Sequence, residues 1–336
     1  MVSGTDVRTP PTATPRRRRR GVRTLSGRDK VVVAVLLGVP LLLDLAFIWF
    51  PALATIALSF TKWSGIKSVH FFTPCKTGGL PGIPRPGCFF GVQNYYQAFN
   101  HQITPDFRPA VEHNAIWLLV FIFIATPLGM LFAIVIDRGI KGSRIYQSVL
   151  FLPVMLSLAL IGIIWELIYS QQYGLVNTLI GRNGNNNAID WLGNPHLNLW
   201  AVLVEASWRQ AGYVMVLYLA GLKAVDPTLR EAALVDGASS WQTFWRVVFP
   251  VMRPINIVVL VVTVIESLRA FDLVYITSKS NVLPGLELLS ISITQNIVGE
   301  TTRIGFGSAL GVVLLVISLV PISIFLYQNF RVEEKR

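Results

Sequence analysis

Charged side chains occur within two of the most apolar stretches of this 336-residue chain. Glu205 and Arg209 are four residues apart, and Glu266, Arg269 and Asp272 follow one another at three-residue steps. These spacings put each set on one face of a helix. A charge at the centre of a bilayer costs roughly 2.5–3.5 kcal/mol on insertion scales, so such residues should face a bundle interior or a water-filled cavity.

Several interpretations of these charges are open. Neutralisation within each helix, of Glu205 by Arg209 and of Arg269 by its acidic neighbours, would hold the helices in register. A hydrophilic path for a solute would use the charges together with the hydrogen-bonding and aromatic groups beside them. Proton transfer by an acidic residue is a third possibility. The candidates for the path are Glu205, Trp208, Arg209, Gln210, Tyr213, Glu266, Ser267, Arg269, Phe271 and Asp272.

Motifs for catalysis, metal binding and nucleotide binding are missing from the sequence. Its four histidines show neither the i, i+4 spacing of a helical metal site nor an H-E-x-x-H motif. The chain has no Gly-Lys dipeptide, hence no phosphate-binding G-x-x-x-x-G-K-[ST] loop, and it lacks G-x-S-x-G and G-x-G-x-x-G. We therefore predict no catalytic residue, no metal site and no cofactor in this chain. If ATP drives the protein, another chain binds it.

The two cysteines, Cys75 and Cys88, lie in one loop after the first apolar stretch. Two cysteines permit a single pairing, and a disulfide can persist outside the cytoplasm. Closing a loop of this size would stabilise the fold by about 3 kcal/mol. We favour the disulfide; two free thiols in a flexible loop are the alternative.

The composition indicates what kind of protein must position these residues. Hydrophobic residues make up 53% and charged residues 14% of the chain, against about 25% charged residues in soluble domains. A helix of about 20 apolar residues crosses the hydrocarbon core of a membrane. We therefore predict an all-α integral membrane protein with a transmembrane domain at 31–330. Its six membrane-spanning helices should lie at about 31–60, 115–136, 148–169, 199–222, 255–278 and 305–328.

The distribution of basic residues predicts the orientation of these spans. Of the 29 Lys and Arg residues, 19 lie in the N-terminal segment, the second and fourth loops and the C-terminal segment, eight in the other loops and two inside spans. Because basic residues collect on the cytoplasmic side, both termini should be cytoplasmic. The net charge of +11 then reflects topology, and we predict no nucleic-acid partner.

A basic arm at 1–30 and a short tail at 331–336 should extend into the cytoplasm. The arm contains three prolines and a run of arginines at 16–20. Such a segment cannot bury a core, and we predict that it is disordered. The arm would either contact anionic membrane lipids or act only as a solvated orientation signal.

The loop between spans four and five, residues 223–254, should form a helix, a turn and a second helix. Asp226 suits a helix N-cap, with Pro227 at the first helical position. The helix should end near Val235, with Gly237 in a left-handed turn. A second amphipathic helix then leads to Pro250 and span five. These features alone fit either a cytoplasmic projection or an ordinary interfacial loop.

This loop resembles the EAA motif of the permease subunits of ABC importers. The matching residues are Glu231-Ala232-Ala233, Gly237 and Pro250. In that family the segment forms a coupling helix that docks into a cleft of a cytoplasmic ATPase. Its glycine allows the turn, its alanines allow close approach and its glutamate is a polar anchor. The resemblance assigns ATPase coupling to Glu231, Ala232, Ala233, Asp236, Gly237 and Ala238.

Four shorter stretches resemble the carbohydrate-uptake branch of this family, the maltose and glycerol-phosphate permeases. They lie at 90–95, 151–153, 173–177 and 271–275, in the order that the family has them. The sequence departs from the family at 278–283, where a Gly-Gly-Pro is usual, and at 64–88, which resembles an insertion. Both departures lie on the predicted outer side, so they affect the docking of a binding protein and the choice of substrate.

The resemblance implies the permease subunit of a bacterial inner-membrane importer that moves a sugar by alternating access. Its expected partners are a second, related permease chain, an ATPase dimer that binds ATP and Mg, and an extracytoplasmic sugar-binding protein. Two alternatives stay open. One is an ABC permease for another solute, such as a phosphate ester or an oligopeptide. The other is an ion-coupled secondary transporter that uses Glu205, Glu266 or Asp272 as a proton carrier.

Overall fold

The computed structural model describes residues 26–66, 68–75, 87–100, 107–182, 187–278, 283–299 and 302–333. The chain divides into two compact units, Met1–Ala52 and Leu53–Arg336. Most of the predicted arm, residues 1–25, lies outside the described residues, as do residues 334–336 of the predicted tail.

Helices make up most of the described chain, and short π-helical turns continue some of them. The α-helices are α1 (Gly27–Asp44), α2 (Phe50–Leu58), α3 (Gln93–Phe99), α4 (Phe107–Val120), α5 (Thr126–Asp137), α6 (Ser143–Met155), α7 (Leu158–Ile168), α8 (Leu175–Leu179), α9 (Asn198–Ala224), α10 (Pro227–Val235), α11 (Ser240–Thr243), α12 (Phe249–Val251), α13 (Arg253–Leu268), α14 (Asp272–Thr277), α15 (Leu289–Val298) and α16 (Ile304–Glu333); the π-helical turns are Leu45–Trp49, Phe121–Ala125 and Phe244–Val248; the strands are β1 (Thr61–Lys62), β2 (His70–Pro74) and β3 (Cys88–Phe89).

Three of the described helical segments are long and apolar enough to cross a membrane: Gly27–Leu58, Phe107–Asp137 and Ile304–Ile324. Two bent pairs of helices raise this number to five if each pair is one span. Helix α9 has 27 residues, about 40 Å at a rise of about 1.5 Å each, but it carries three charged residues and is not among these segments. The described helices thus give three to five spans, and a sixth requires α9.

The first unit contains the helix that starts at Gly27. The backbone amide of Ser26 donates to the Asp29 carboxylate at 3.1 Å, which satisfies an amide at the start of the helix. The prediction that residues 27–30 belong to a disordered arm is therefore wrong. Within the apolar part of α1 and the turn after it, Trp49 Nε1 donates to Asp44 Oδ2 at 3.1 Å, so this carboxylate also has a partner.

The predicted span at 148–169 is wrong as a single helix, because the structure breaks it into α6 and α7. The two helices are bent by 102°. Pro153 lies in the last turn of α6, where it has no N–H to donate to the preceding turn, and the helix ends two residues later. Ser157 then starts α7 as an N-cap whose hydroxyl accepts from the Leu160 amide at 3.2 Å.

The predicted span at 255–278 is also wrong as a single helix, since α13 ends at Leu268 and α14 begins at Asp272. The carbonyl groups released at this break find partners on other helices. Asn114 Nδ2 donates to the Ser267 carbonyl at 3.2 Å, and the Ser290 hydroxyl donates to the Ala270 carbonyl. Because side chains replace the helical hydrogen bonds, the break leaves both of these carbonyls satisfied.

Glycines bring the backbone of α9 close to its neighbours. A Cβ at Gly129 in α5 would lie 2.6 Å from the Ala211 carbonyl oxygen. A Cβ at Gly212 would overlap the Leu150 carbonyl of α6. Small residues allow such close packing between membrane helices. Helix α9 is therefore held firmly against the helices before it in the chain.

A small sheet between α2 and α3 departs from the all-α prediction. Its strand order is β1-β3-β2, with β1 antiparallel and β2 parallel to β3. Strand β2 contains Phe71, Phe72 and Thr73, residue types that favour extended structure. A disulfide joins Cys75 to Cys88, with their Cα atoms 5.0 Å apart. The covalent link keeps the segment after β2 beside β3.

Candidate functional site

A small cavity of about 50 Å³ lies where α9, α13 and α14 approach α4 and the π-helical turn that follows it. The break between α13 and α14 forms one side of the cavity, so its backbone and side chains are part of the lining. Half of the ten predicted path residues line this cavity: Arg209, Glu266, Arg269, Phe271 and Asp272. The structure thus brings together residues from α9 and from both sides of the break.

The charges in the lining are formally balanced. Two guanidinium groups, of Arg209 and Arg269, accompany the carboxylates of Glu266 and Asp272. Arg209 Nη1 lies 3.6 Å from Glu266 Oε2, and the two side chains are 25% and 31% exposed. This ion pair joins α9 to α13. The cavity therefore offers hydrogen-bond donors and acceptors without a net charge.

The pairing of Glu205 with Arg209 that the sequence allowed is not formed. Glu205 is fully buried, and neither of its carboxylate oxygens has a hydrogen-bond partner among the described residues. Arg209 instead reaches across to Glu266. The i, i+4 spacing made a pair with Glu205 possible, but in the folded chain the acidic partner of Arg209 is on another helix.

Asp272 does not continue the helical face of Glu266 as the sequence predicted. Helix α13 ends before Arg269, whose backbone has left the helical conformation, and Asp272 is in the first turn of α14. The three residues still line the same cavity. Their proximity results from a bend in the chain and not from helical periodicity.

Two predicted path residues, Gln210 and Ser267, are buried in the helix interface and do not line the cavity. Gln210 Nε2 donates to Thr263 Oγ1 at 3.4 Å, which connects α9 to α13. The Ser267 hydroxyl donates to the Val264 carbonyl at 2.8 Å within its own helix. Their hydrogen bonds stabilise the helices that carry the cavity lining.

Trp208 and Tyr213 are outside the cavity lining as well. Trp208 is 40% exposed and meets Trp165 edge to face, with ring centroids 5.9 Å apart. It lines a separate apolar groove together with Trp200. Tyr213 is half-buried on α9.

Sequence reasoning missed two residues of α4 that complete the site. Trp117 lines the cavity and is almost fully buried, and its Nε1 has no partner in the described part of the chain. Asn114 accepts from the Leu289 amide at 2.9 Å while it donates to the break at Ser267. The available signal was an amide just before the predicted span at 115–136 and an indole near the start of that span, three residues apart.

The loop after α9 has the local structure that the sequence predicted. Asp226 Oδ1 accepts from the Thr228 amide at 2.9 Å, which caps α10 and lowers the pKa of this carboxyl group. The cap therefore stabilises the helix at neutral pH and is lost when acid protonates Asp226. Gly237 has φ of +85°, and the Ala238 amide donates to the Ala233 carbonyl at 3.0 Å. The helix ends in the left-handed turn expected for glycine.

Helix α10 is exposed, and Arg230 anchors it to two other helices. None of its residues is buried, so Glu231 and Ala232 are accessible, as is Asp236 after its end. Arg230 Nη1 donates to Asp137 Oδ2 at 2.7 Å and Nη2 donates to the Leu222 carbonyl at 2.8 Å. One arginine thus links α10 to the ends of α5 and α9.

Comparisons with known proteins show what this chain is similar to. The family described as binding-protein-dependent transport system inner membrane component matches residues 125–334. The osmoprotective compounds uptake permease protein GgtC of Synechocystis sp. is 31% identical over 254 residues, which cover 74% of this chain and 88% of GgtC. The xylose/arabinose import permease protein XacH of Haloferax volcanii is 28% identical over 313 residues, which cover 92% of each protein.

A solved structure has the same fold. It is the crystal structure of a bacterial alginate ABC transporter in complex with an alginate pentasaccharide-bound periplasmic protein. The similar chain has a TM-score of 0.71 and 19% sequence identity, and the match covers 91% of this chain and 96% of that one. The fold therefore extends well beyond the residues that the family matches.

Proposed function

Because this chain belongs to the family of binding-protein-dependent transport system inner membrane components, we propose that it is the permease subunit of an ATP-binding-cassette importer that carries a sugar into the cell. The similarity to the xylose/arabinose permease XacH supports the sugar as solute. The chain itself performs no covalent chemistry in this proposal. It provides the path that the solute follows through the membrane.

The charge-balanced cavity is the observation that carries the proposal. Sugars are neutral and present many hydroxyl groups, each of which can donate and accept hydrogen bonds. Guanidinium groups donate, carboxylates accept, and the aromatic side chains of Trp117 and Phe271 supply apolar faces in the same lining. A site for a phosphate ester would need a net positive charge, which this lining does not have.

The cavity must widen before a sugar can occupy it. Its volume of about 50 Å³ is well below the range of about 300–1,000 Å³ that is usual for small-molecule sites. We infer that this chain forms one wall of the path and that a second, related permease forms the other. The breaks between α6 and α7 and between α13 and α14 are the places where the wall can bend.

The exposed helix α10 is the proposed contact with the ATPase. Its residues Glu231, Ala232 and Ala233, with Asp236, Gly237 and Ala238 after them, would dock into a cleft of one subunit of the ATPase dimer. ATP and Mg would bind to that partner, and Arg230 would transmit the motion of α10 to α5 and α9. An extracytoplasmic binding protein, like the periplasmic protein in the alginate transporter complex, would deliver the sugar.

The proposed topology has six spans, with α9 as the fourth, and both termini in the cytoplasm. The excess of Lys and Arg in the terminal segments and in the second and fourth loops supports this orientation. The charged residues of α9 are compatible with a membrane span because Glu205 is buried in the protein, Arg209 faces the cavity, and Lys223 lies in the last turn of the helix.

Reconstitution with native partners tests the function. The chain is tagged and purified, its partners are identified by mass spectrometry, and the complex is placed in liposomes with its binding protein and a panel of sugars. We expect uptake of one sugar from the panel. This uptake should require ATP on the side of the membrane where the ATPase is bound. Uptake that persists without ATP and stops with a protonophore would instead show an ion-coupled transporter. Stimulation of the ATPase by a phosphate ester or a peptide, but by no sugar, would refute the sugar assignment.

A further inference from the structure

A second cavity lies between the end of α5 and the segment from α10 to α11, away from the proposed solute path. Its volume of about 320 Å³ is within the usual range for a bound small molecule. Side chains of α5, among them Leu131, Ile134 and Val135, form its apolar part. Asp137 and Arg138, at the C-terminal end of α5, form a polar part together with Arg230. The cavity therefore has one apolar end and one charged end.

The charged end has an excess of hydrogen-bond donors. Asp137 is neutralised by Arg230 at 2.7 Å, so the exposed guanidinium of Arg138 gives the lining a net positive charge. Arg230 Nε and Thr243 Oγ1 are buried and have no hydrogen-bond partner within the described ranges. Thr243, which is 6% exposed, also lines the cavity. Buried polar atoms without a partner are uncommon in folded proteins and call for a ligand or water.

The position of the cavity favours a lipid over a protein partner. Leu131 and Val135 are 55% and 39% exposed and belong to a helical segment apolar enough to cross a membrane. A cytoplasmic ATPase cannot reach side chains at the depth of the hydrocarbon. Trp241, which is 68% exposed, lines the same cavity, and tryptophan is enriched at the membrane–water interface.

We propose that this cavity binds an anionic phospholipid, with its phosphate at Arg138 and Thr243 and one acyl chain along Leu131 and Val135. Basic pockets between membrane helices on the cytoplasmic side are suited to anionic headgroups. The proposal rests on the topology given under the proposed function, since it requires this end of α5 to be cytoplasmic. The bound lipid would touch the same arginine that connects α10 to α5.

Photolabelling of the complete importer tests the site. The complex is reconstituted in phosphatidylcholine nanodiscs that contain a phosphatidylglycerol with a photoactivatable group on its acyl chain, and labelled peptides are identified by mass spectrometry. We expect labelling at 131–138. Arg138→Gln should reduce it about fivefold, the factor that corresponds to about 1 kcal/mol for one cation near an anionic surface. Arg144→Gln is the matched control and should change nothing, because this exposed arginine is in the first turn of α6 and does not line the cavity.

A second variant tests occupancy without a change in charge. Val135→Trp fills the apolar end and should abolish labelling, and size-exclusion chromatography checks that the complex is intact. Four results would overturn the proposal: equal labelling by a phosphatidylcholine probe, labelling that both variants leave unchanged, no labelling at 131–138 in the complete importer, or loss of labelling in the presence of soluble glycerol phosphate. Competition by soluble glycerol phosphate would show a site for a free phosphate and not for a lipid. Because the readout is labelling, these results are independent of whether the solute is a sugar.

Discussion

The ion pair between Arg209 and Glu266 makes the sharpest prediction about the proposed path. Arg209→Gln and Glu266→Gln each remove one charge and leave the other without its partner in a poorly solvated cavity. The double variant removes both charges and keeps two side chains that can form hydrogen bonds. Comparing the three variants separates the free energy of the ion pair from the contribution of each group alone.

The distance sets the expected size of the effect. At 3.6 Å and an effective dielectric constant of about 20, the attraction is roughly 4–5 kcal/mol. Loss of hydration and of side-chain freedom offsets most of this attraction, and solvent screens part of it because both groups are partly exposed. We expect a coupling free energy of about 1–2 kcal/mol, within the usual range for residues in contact.

Two assays on the reconstituted importer compare the wild type with the two single variants and the double variant. Thermal unfolding should show that the double variant is more stable than the sum of the single losses implies. Uptake should not recover in the same way, because the guanidinium and the carboxylate are proposed to bind sugar hydroxyls. The exposed pair of Arg108 and Glu112, at 2.7 Å with side chains 70% and 57% exposed, is the matched control. Its coupling should be at most about 0.5 kcal/mol despite the shorter distance.

Two results would contradict these expectations. A coupling for Arg209 and Glu266 no larger than that of the exposed control would show that the cavity does not strengthen the pair. Full uptake by the double variant would show that the pair only holds α9 against α13. In that case the solute would pass elsewhere.

Three further predictions concern other parts of the chain. Gly237→Val should abolish ATP-driven uptake, because the left-handed backbone costs an ordinary residue with a Cβ roughly 1–2 kcal/mol and is least tolerated by β-branched residues. Gly237→Asn should retain most of the uptake, because Asn adopts this conformation more readily and space for a Cβ is open there; equal activity of both variants would contradict this. Gly212→Leu should destabilise the complex by about 1–3 kcal/mol, because the new side chain would overpack against α6. An unchanged unfolding temperature would argue against this close packing. Replacing Cys75 and Cys88 by serine should lower the free energy of unfolding by about 3 kcal/mol without affecting ATPase coupling. Labelling of the wild-type protein by a maleimide before reduction would contradict the disulfide.

The local features of the site were predictable from the sequence, whereas its contacts were not. Asp226, Pro227 and Gly237 define the start and end of α10 through their own backbone preferences, and the structure has the helix where they put it. The polar residues of α9 and α13 were recognised because charges are rare in apolar helices. Their partners were not, because a carboxylate four residues away and one on another helix are equally compatible with the sequence.

The breaks in the third and fifth apolar segments were missed for a physical reason. Hydropathy averages over a window and does not register one missing hydrogen bond. Pro153 was visible in the sequence, but proline also occurs inside the continuous helix α1. At the break after Leu268 the Ser267 carbonyl accepts from Asn114, a partner 153 residues away in the sequence.

The sequence by itself determined that this is a helical membrane protein, which family its exposed loop resembles, and which residue types are available for a solute path. These properties depend on composition and on short-range periodicity, which the amino-acid order contains directly. Only the tertiary structure decided that Arg209 pairs with Glu266, that Glu205 is buried, and that Trp117 completes the cavity. These contacts depend on bends whose released carbonyls accept side chains from distant helices, and no local pattern encodes such partners.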